Sequence, residues 1–186
     1  MNSMRSKTRQ CNWYVITGGP SSGKTTIINE LAKLGYATVA EAARSAIERE
    51  LARGKNINLL NKEQRQLQKI ILDMKIRAEK KTSKKKPVFF DRAVPDSIVY
   101  YRLHNLNPKL PIKLSKHRPY KRVFLFDLLP YKRNGVRVEN AKAAKKIDTM
   151  LETIYRTLGY DTIRVPVMPI KKRLRFILKH IQNKNN

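Results

Sequence analysis

Acidic residues are scarce in this chain. Against 41 lysines and arginines stand 14 aspartates and glutamates in 186 residues, for a formal charge of +27. Such a balance favours any polyanion, whether nucleotide, nucleic acid or acidic lipid surface, and equally describes a basic surface that is merely solvated. Cysteine is nearly absent: Cys11 has no second cysteine to pair with. An internal disulfide is therefore excluded, a reducing compartment is expected, and the thiol's default role is structural or inert. Long apolar runs are missing too. Trp13 to Ile16 is far too short for the apolar region of a signal peptide, and nothing approaches transmembrane length, so a soluble, cytoplasmic protein is expected. His104, His117 and His180 show no metal-ligand spacing and receive no role. No internal repeat or low-complexity tract occurs.

What is present suits one domain over residues 1–186, with 41% hydrophobic residues to fill one core. Residues 1–11 are expected to be flexible. Residues 12–17 (NWYVIT), 36–40 (YATVA), 87–90 (PVFF), 122–126 (RVFLF) and 161–167 (DTIRVPV) read as strands. Helical spacing relates Ile27, Leu31 and Leu34 before Gly35; Ala43, Ala46, Ile47 and Leu51 before Gly54; and Leu67, Ile71, Met74 and Ala78. Further helices are expected from Pro95, from Ala141 with Asn140 as N-cap and Gly159 as stop, and over residues 170–182. The helix from Ala141 carries Ile147, Met150, Ile154 and Leu158 on one face. Residues 105–120 have three prolines and no period, and read as a loop that shapes a substrate pocket. The alternation predicts an α/β fold, with about five parallel strands covered by helices on both faces and joined by right-handed crossovers.

Between the first strand and the first helix, Gly18, Gly23, Lys24 and Thr25 fit G-x-x-x-x-G-K-[ST] at every fixed position. Residues Gly18, Gly19, Pro20, Ser21, Ser22, Gly23, Lys24, Thr25 and Thr26 are thus candidates to bind a nucleoside triphosphate, ATP or GTP. Backbone N–H groups of such a loop make an anion nest and the following helix adds its positive end. Lys24 can reach the β and γ phosphates, and the Thr25 hydroxyl can bind Mg²⁺.

Phosphoryl transfer needs a further carboxylate on the metal side, and Asp91, at the end of an apolar strand, is the candidate; an ordinary strand-end Asp is the alternative. Asp127 ends another strand without a supporting motif and reads as structural. Glu41, at the end of the second strand, can accept a proton or hold a substrate hydroxyl, with Arg44 one turn later to bind an anion. A helix N-terminal Glu beside the macrodipole is the bland alternative. Lys132, Arg133 and Arg137 lie in a basic, glycine-containing loop, about 130–140, that can act as a closing lid or be merely solvated. Tyr100 and Tyr101 read as one core residue and one exposed, with substrate stacking as the alternative. The basic face of Lys171, Lys172, Arg173 and Arg175 reads as solvated, or as a contact for acidic lipid or nucleic acid.

Four blocks carry a family resemblance over nearly the whole chain: GGPSSGKTT, EAAR, FFDRAVPDSIVYY and YKRNGVRVENAKAAKKIDTMLETIYRTLGY. They resemble the small predicted ATPases labelled AAA domain, relatives of ribosylnicotinamide kinase domains, and the third block is similar to the Asp-Arg…Ser…Tyr pattern of thymidylate kinases. The resemblance implies a P-loop NTPase fold, a three-layer α/β/α sandwich like that of nucleoside and nucleotide kinases, with a lid. It matches Lys24 and Thr25 to nucleotide and Mg²⁺ ligands, Asp91 and Arg92 to the kinase Asp-Arg pair, and Arg133 and Arg137 to lid arginines. Arg92 follows Asp91 where an AAA-type motor carries Glu, which argues against a hexameric motor. Ala93 stands where thymidylate kinases carry an aromatic residue, which argues against thymidylate as substrate.

The expectation is therefore a Mg²⁺-dependent kinase that passes the γ-phosphoryl group to a nucleoside, nucleotide or nicotinamide riboside-like acceptor held by Glu41, Arg44 and Arg92, or an ATPase that lacks an acceptor. Lys24, Asp91, Glu41 and Arg137 are its catalytic candidates. The second expectation follows from animal relatives that bind GTP and phosphoinositide: a nucleotide-dependent switch that attaches to lipid or protein partners. Against GTP, residues 61–64 (NKEQ) lack the Asp of a guanine-reading Asn-Lys-x-Asp. The third is a polynucleotide kinase or nucleic-acid binder.

Overall fold

Every residue from Trp13 to Gly18 is buried, as a central strand of a parallel sheet covered on both faces requires. The computed structural model describes residues 11–130 and 141–182. In chain order these form β1 (Trp13–Gly18), α1 (Lys24–Lys33), β2 (Ala37–Val39), α2 (Ala42–Ala52), α3 (Ile57–Lys62), α4 (Gln64–Lys81), β3 (Val88–Asp91), α5 (Asp96–Leu103), α6 (Lys109–Ser115), β4 (Tyr120–Phe126), α7 (Ala141–Thr157), β5 (Thr162–Val165) and α8 (Ile170–Gln182). The five strands make one sheet in the order β2-β3-β1-β4-β5, and every pairing is parallel.

The period of two along each strand divides the core. Trp13, Val15, Phe90, Val123 and Leu125 face one way and pack against Ile98 of α5 and Leu151, Ile154 and Tyr155 of α7. Tyr14, Ile16, Phe89, Phe124 and Phe126 face the other way, against Ile27 and Leu31 of α1 and Ile177 of α8. Burying a side chain of this size contributes roughly 1.5–3 kcal/mol, so both helix layers are held by the sheet between them. This is a three-layer α/β/α sandwich. A smaller cluster of Ala46, Leu60, Leu67 and Ile71 joins α2, α3 and α4 at the β2 edge.

Four sequence expectations change. Leu51 is 41% exposed while Glu50 is 4% exposed; Arg53 and Lys55 pair with Glu50 at 3.0 and 3.3 Å, so an ion cluster rather than an apolar stripe sets the last turn of α2. The helix carrying Leu67, Ile71, Met74 and Ala78 is preceded by a separate one: α3 starts after Asn56, whose Oδ1 accepts from the Leu59 N–H at 2.8 Å, and Glu63 separates it from α4. Residues 109–115 form α6. Of the prolines that suggested a loop, Pro108 precedes the first turn and Pro111 lies within it, where a missing N–H leaves no bond broken. Cys11, expected within a flexible stretch, is buried in the core beside Trp13. The lid region, including Lys132, Arg133, Arg137 and Asn140, lies outside the described residues.

The chain leaving β1 returns to β2 on one side of the sheet, and the chain leaving β4 returns to β5 on the other. Where such connections part, a crevice opens at the carboxyl ends of the strands. Register places Asp91 level with Ile16 and Phe126 level with Gly18, so the ends of β3, β1 and β4 meet there.

Candidate active site

The backbone turns sharply where β1 ends. Gly18 has φ +142°, and a Cβ there would lie 2.6 Å from the carbonyl oxygen of Phe126; only glycine allows this approach to β4. Gly23 has φ +82° and immediately precedes α1. Between them, the Ser22 hydroxyl donates to the Gly19 carbonyl at 2.9 Å. The first turn of α1 contains no acidic residue, so the partial positive charge of its N-terminus is unopposed from within the helix. Pro20 is half-buried, whereas Ser21 and Thr26 are exposed at the mouth of the loop.

Lys24 is buried and reaches back across the loop: its Nζ donates to the Gly19 carbonyl at 2.8 Å and to Ser22 Oγ at 3.1 Å. Burial, and then repulsion by Arg92, lowers its pKa to about 7, against the attraction of Asp91, Glu41 and Asp96. Its partners are neutral oxygens, so a bound polyanion would supply the missing counter-charge.

Thr25 Oγ1 donates to Asp91 Oδ2 at 3.1 Å. The other carboxylate oxygen, Oδ1, is buried without a hydrogen-bond partner among the described residues. Burial raises the Asp91 pKa, as does the charge of Glu41, while Lys24 and Arg92 pull it down. A hydroxyl beside a carboxylate with an unsatisfied oxygen suits Mg²⁺, which takes hard oxygen ligands and is held by one or two protein groups together with substrate phosphates and water. No cluster of three or more His, Cys, Asp or Glu able to hold a metal exists among the described residues, so any metal here would rely on a ligand's oxygens.

Arg92 follows in a left-handed conformation, φ +65°, which costs a side-chain-bearing residue about 1–2 kcal/mol. Its side chain explains why the strain is tolerated. Nε donates to Glu41 Oε1 at 2.7 Å and Nη1 to Asp96 Oδ1 at 3.2 Å, and the guanidinium lies 5.4 Å from the Tyr100 ring centroid. Burial works against its charge, but Tyr100, Asp96 and Glu41 outweigh it and keep Arg92 protonated. Glu41 occupies the N-cap position of α2 yet makes no capping bond; its carboxylate serves Arg92 instead. Tyr101 is buried behind it against Leu72 and Val94.

A cavity of about 90 Å³ opens beside this pair, lined by Val39, Ser45, Lys75, Glu79, Asp91 and Arg92 among others. Arg44 is exposed and lines a different recess, shared with Glu41 and Glu48. Thus Lys24, Thr25, Asp91, Arg92 and Glu41 gather at one end of the sheet, and Arg44 borders that group without joining it.

Several residues here carried no sequence signal. Asp96 accepts hydrogen bonds from Thr17, Arg92, the Ala93 N–H and Tyr155, and so fixes the turn after β3. Lys75 lies on α4 among hydrophobic positions, is buried, and donates to Ser97 Oγ at 3.1 Å; burial lowers its pKa to about 8. Asp148 of α7 accepts from the Gly19 N–H at 3.3 Å and from Arg164 at 2.8 Å. Arg164 also binds Asp127 at 3.1 Å, the structural role expected of Asp127. Arg173, read from sequence as part of a solvated basic face, is instead 3% exposed, and its Nη1 donates to the Ser22 carbonyl at 2.8 Å. The apolar ring of Phe126 beneath it and the approach of α8 to the glycine loop account for its burial.

Comparison with known proteins adds to this geometry. No curated protein matches the chain. Among solved structures, thymidylate kinase from Ehrlichia chaffeensis superposes with TM-score 0.64 at 15% identity, over 91% of this chain and 97% of that one. Deoxyadenosine kinase from M. mycoides, solved with dCMP and dCDP, gives 0.63 at 18% identity over 91% and 98%. The NadR protein in complex with NR gives 0.66 at 16% identity over 95% of this chain, which spans 51% of NadR. These likenesses show a shared fold. No helix among the described residues is long and apolar enough to cross a membrane. Residues 13–173 match the family described as AAA domain, a span running from the first residue of β1 to Arg173, and the chain accordingly belongs to the AAA domain family.

Proposed function

We propose that this protein is a P-loop phosphotransferase that passes the γ-phosphoryl group of ATP or GTP to a small acceptor, a nucleoside, nucleotide or nicotinamide riboside-like molecule. The observation that carries this reading is the Thr25–Asp91 pair with its unsatisfied buried oxygen, facing a glycine loop on one side and the Arg92-lined cavity on the other. Kinases of similar fold support it.

In this reading the N–H groups of Ser21 to Thr26 and the start of α1 hold the phosphate chain. Lys24 leaves the Gly19 carbonyl for the β and γ phosphates, becoming fully protonated as it does so. Thr25 and Asp91 would hold Mg²⁺, which would offset charge at the transferring group. The acceptor enters the cavity by β3. Arg92 orients it, and Glu41 accepts the proton of the attacking hydroxyl. Lys75 sets the polarity of the cavity floor. The helices flanking the crevice limit water, which would otherwise compete as acceptor and turn transfer into hydrolysis.

The test is transfer from labelled ATP and GTP, with and without nucleosides, nucleotides and nicotinamide riboside, comparing wild type with Asp91→Asn. Label on one acceptor, lost in the variant, supports the kinase and names its substrate. Release of phosphate regardless of acceptor supports an ATPase. A second reading rests on a different observation: a groove of about 320 Å³ between α5 and α7 carries Arg102, Lys145 and Lys146, a surface suited to an anionic partner. Tight nucleotide binding without turnover, together with nucleotide-dependent attachment to phosphoinositide vesicles, would favour the switch. Salt-sensitive binding to a polynucleotide would favour the nucleic-acid reading.

A further inference from the structure

Four basic side chains among the described residues are nearly inaccessible: Lys24, Lys75, Arg92 and Arg173. Arg92 has two carboxylate partners within ion-pair distance; Arg173 has none among the described residues. Its Nε and Nη2 are buried without hydrogen-bond partners there. Asp127 attracts it, but Asp127 Oδ1 already accepts from Arg164 at 3.1 Å. Leaving a guanidinium buried and unneutralised is costly. The fold nevertheless holds it firmly, with the Phe126 ring 5.4 Å away and its own N–H bonded to the Pro169 carbonyl at 3.0 Å.

The group is aimed at the glycine loop. Nη1 donates to the Ser22 carbonyl at 2.8 Å, and a Cβ on Gly23 would come within 3.1 Å of the same nitrogen. The Ser22–Gly23 peptide is trans, so its carbonyl and the Gly23 N–H point to opposite sides. A cation on the carbonyl withdraws electron density through the peptide and makes the N–H a stronger donor on the far side, where the loop's amides face an anion. Lys24 and Arg173 therefore flank one loop, both held by neutral oxygens.

We propose that Arg173 is a positioning residue of the nucleotide site: from α8 it polarises the Ser22–Gly23 peptide and adds uncompensated positive charge behind the glycine loop, tightening its hold on a triphosphate. The proposal rests on the reading of that loop as a triphosphate site. It also accounts for a C-terminal helix that reaches back to a loop 151 positions earlier.

The experiment measures binding of MgATP and of magnesium tripolyphosphate, which has phosphates but no base, to wild type, Arg173→Met, Arg173→Lys and Lys24→Ala, alongside melting of each ligand-free protein. The expected result is an approximately tenfold weakening of both ligands in Arg173→Met, no drop in its ligand-free melting temperature because a buried unpaired charge is gone, and partial recovery in Arg173→Lys. Two results would overturn the proposal: tripolyphosphate held by Arg173→Met as tightly as by wild type, or weakened binding that tracks a lower melting temperature and is not recovered by lysine. If wild type and Lys24→Ala bind both probes equally, or wild type binds neither, the triphosphate-site reading itself fails and takes the proposal with it. Loss in Lys24→Ala with wild-type affinity in Arg173→Met removes the proposal alone.

Discussion

Thr25 and Asp91 stand 66 positions apart in sequence, and the hydroxyl of one donates to the carboxylate of the other at 3.1 Å. The contact spans two neighbouring strands: Thr25, in the first turn of α1, lies seven residues beyond the end of β1, and Asp91 is the last residue of β3, which pairs with β1 in parallel. A metal held there would touch both the glycine loop and the cavity wall. Asp91→Asn should therefore lower single-turnover transfer by at least about a hundredfold, while nucleotide affinity measured in EDTA changes by less than about threefold. An equal loss of metal-free affinity would show that Asp91 shapes the loop rather than holding a metal.

Because burial raises the Asp91 pKa in the metal-free fold, its carboxyl should titrate above the pH of an ordinary aspartate, whose pKa is about 3.9, while no metal is bound. Carboxyl-carbon NMR of the ligand-free wild type in EDTA gives the midpoint. A midpoint at or below the ordinary value would contradict the desolvated setting of the carboxylate.

Lys24 sits at a pKa of about 7 in the ligand-free fold, so at pH 8 most of it is neutral. A triphosphate should draw it into the charged form, and binding should take up close to one proton. Calorimetry in buffers of different ionisation enthalpy reads that number directly. Binding without uptake at pH 8 would mean that Lys24 does not reach the phosphates.

Lys75 has its pKa lowered to about 8 by burial. Between that value and the unfolded value of about 10.4, the unfolded chain binds more protons than the native one, so this group makes stability rise with pH. Lys75→Met should stabilise the ligand-free protein at pH 7, and its advantage over wild type should shrink through that window. Denaturant melts at pH 7 and pH 10 provide the comparison; a constant difference would exclude the linkage.

Arg92 and Asp96 hold each other in place, and both are buried. Removing Arg92 takes from Asp96 and Glu41 their ion-pair partner among the described residues, which costs about 3–5 kcal/mol, so Arg92→Ala should unfold at markedly lower urea. Glu41→Gln, which keeps an acceptor for Arg92, should cost far less stability while lowering transfer. Equal destabilisation by the two would make Glu41 a structural prop.

Gly18→Ala would force a methyl group to 2.6 Å from the Phe126 carbonyl, whereas Gly35 has open space around its Cβ position. Gly35→Ala should cost only the penalty of a left-handed residue, about 1 kcal/mol, and leave nucleotide binding intact. Gly18→Ala should cost more and weaken binding as well, as urea melts and nucleotide titrations of the two variants would reveal.

The strands and the glycine loop were legible in the chain because their signals are local. A buried strand between helical runs needs only a few consecutive residues, and the spacing of Gly18, Gly23, Lys24 and Thr25 follows from how one short loop wraps an anion. The stops at Gly35, Gly54 and Gly159 are local too: each has positive φ, which a side-chain-bearing residue adopts only with strain. The helix at Lys109–Ser115 is hidden in the sequence because proline ordinarily breaks a helix, whereas Pro108 and Pro111 fall before and within the first turn, where no N–H is needed.

The carboxylate at Asp91 stood out in sequence as a strand end, but its partnership with Thr25 depends on β3 lying beside β1, a pairing between distant segments. Arg173 shows the same limit more sharply. On its own helix it is one more basic residue among Lys171, Lys172 and Arg175, and no local pattern separates it from them. Docking of α8 onto Phe126 turns that one side chain inward, against the Ser22 carbonyl. Lys75, Asp96 and Asp148 are of the same kind. A buried charge acquires its role from groups brought to it by the fold, and charge and hydrogen bonding act over a few ångströms of space, however many residues separate the partners along the chain.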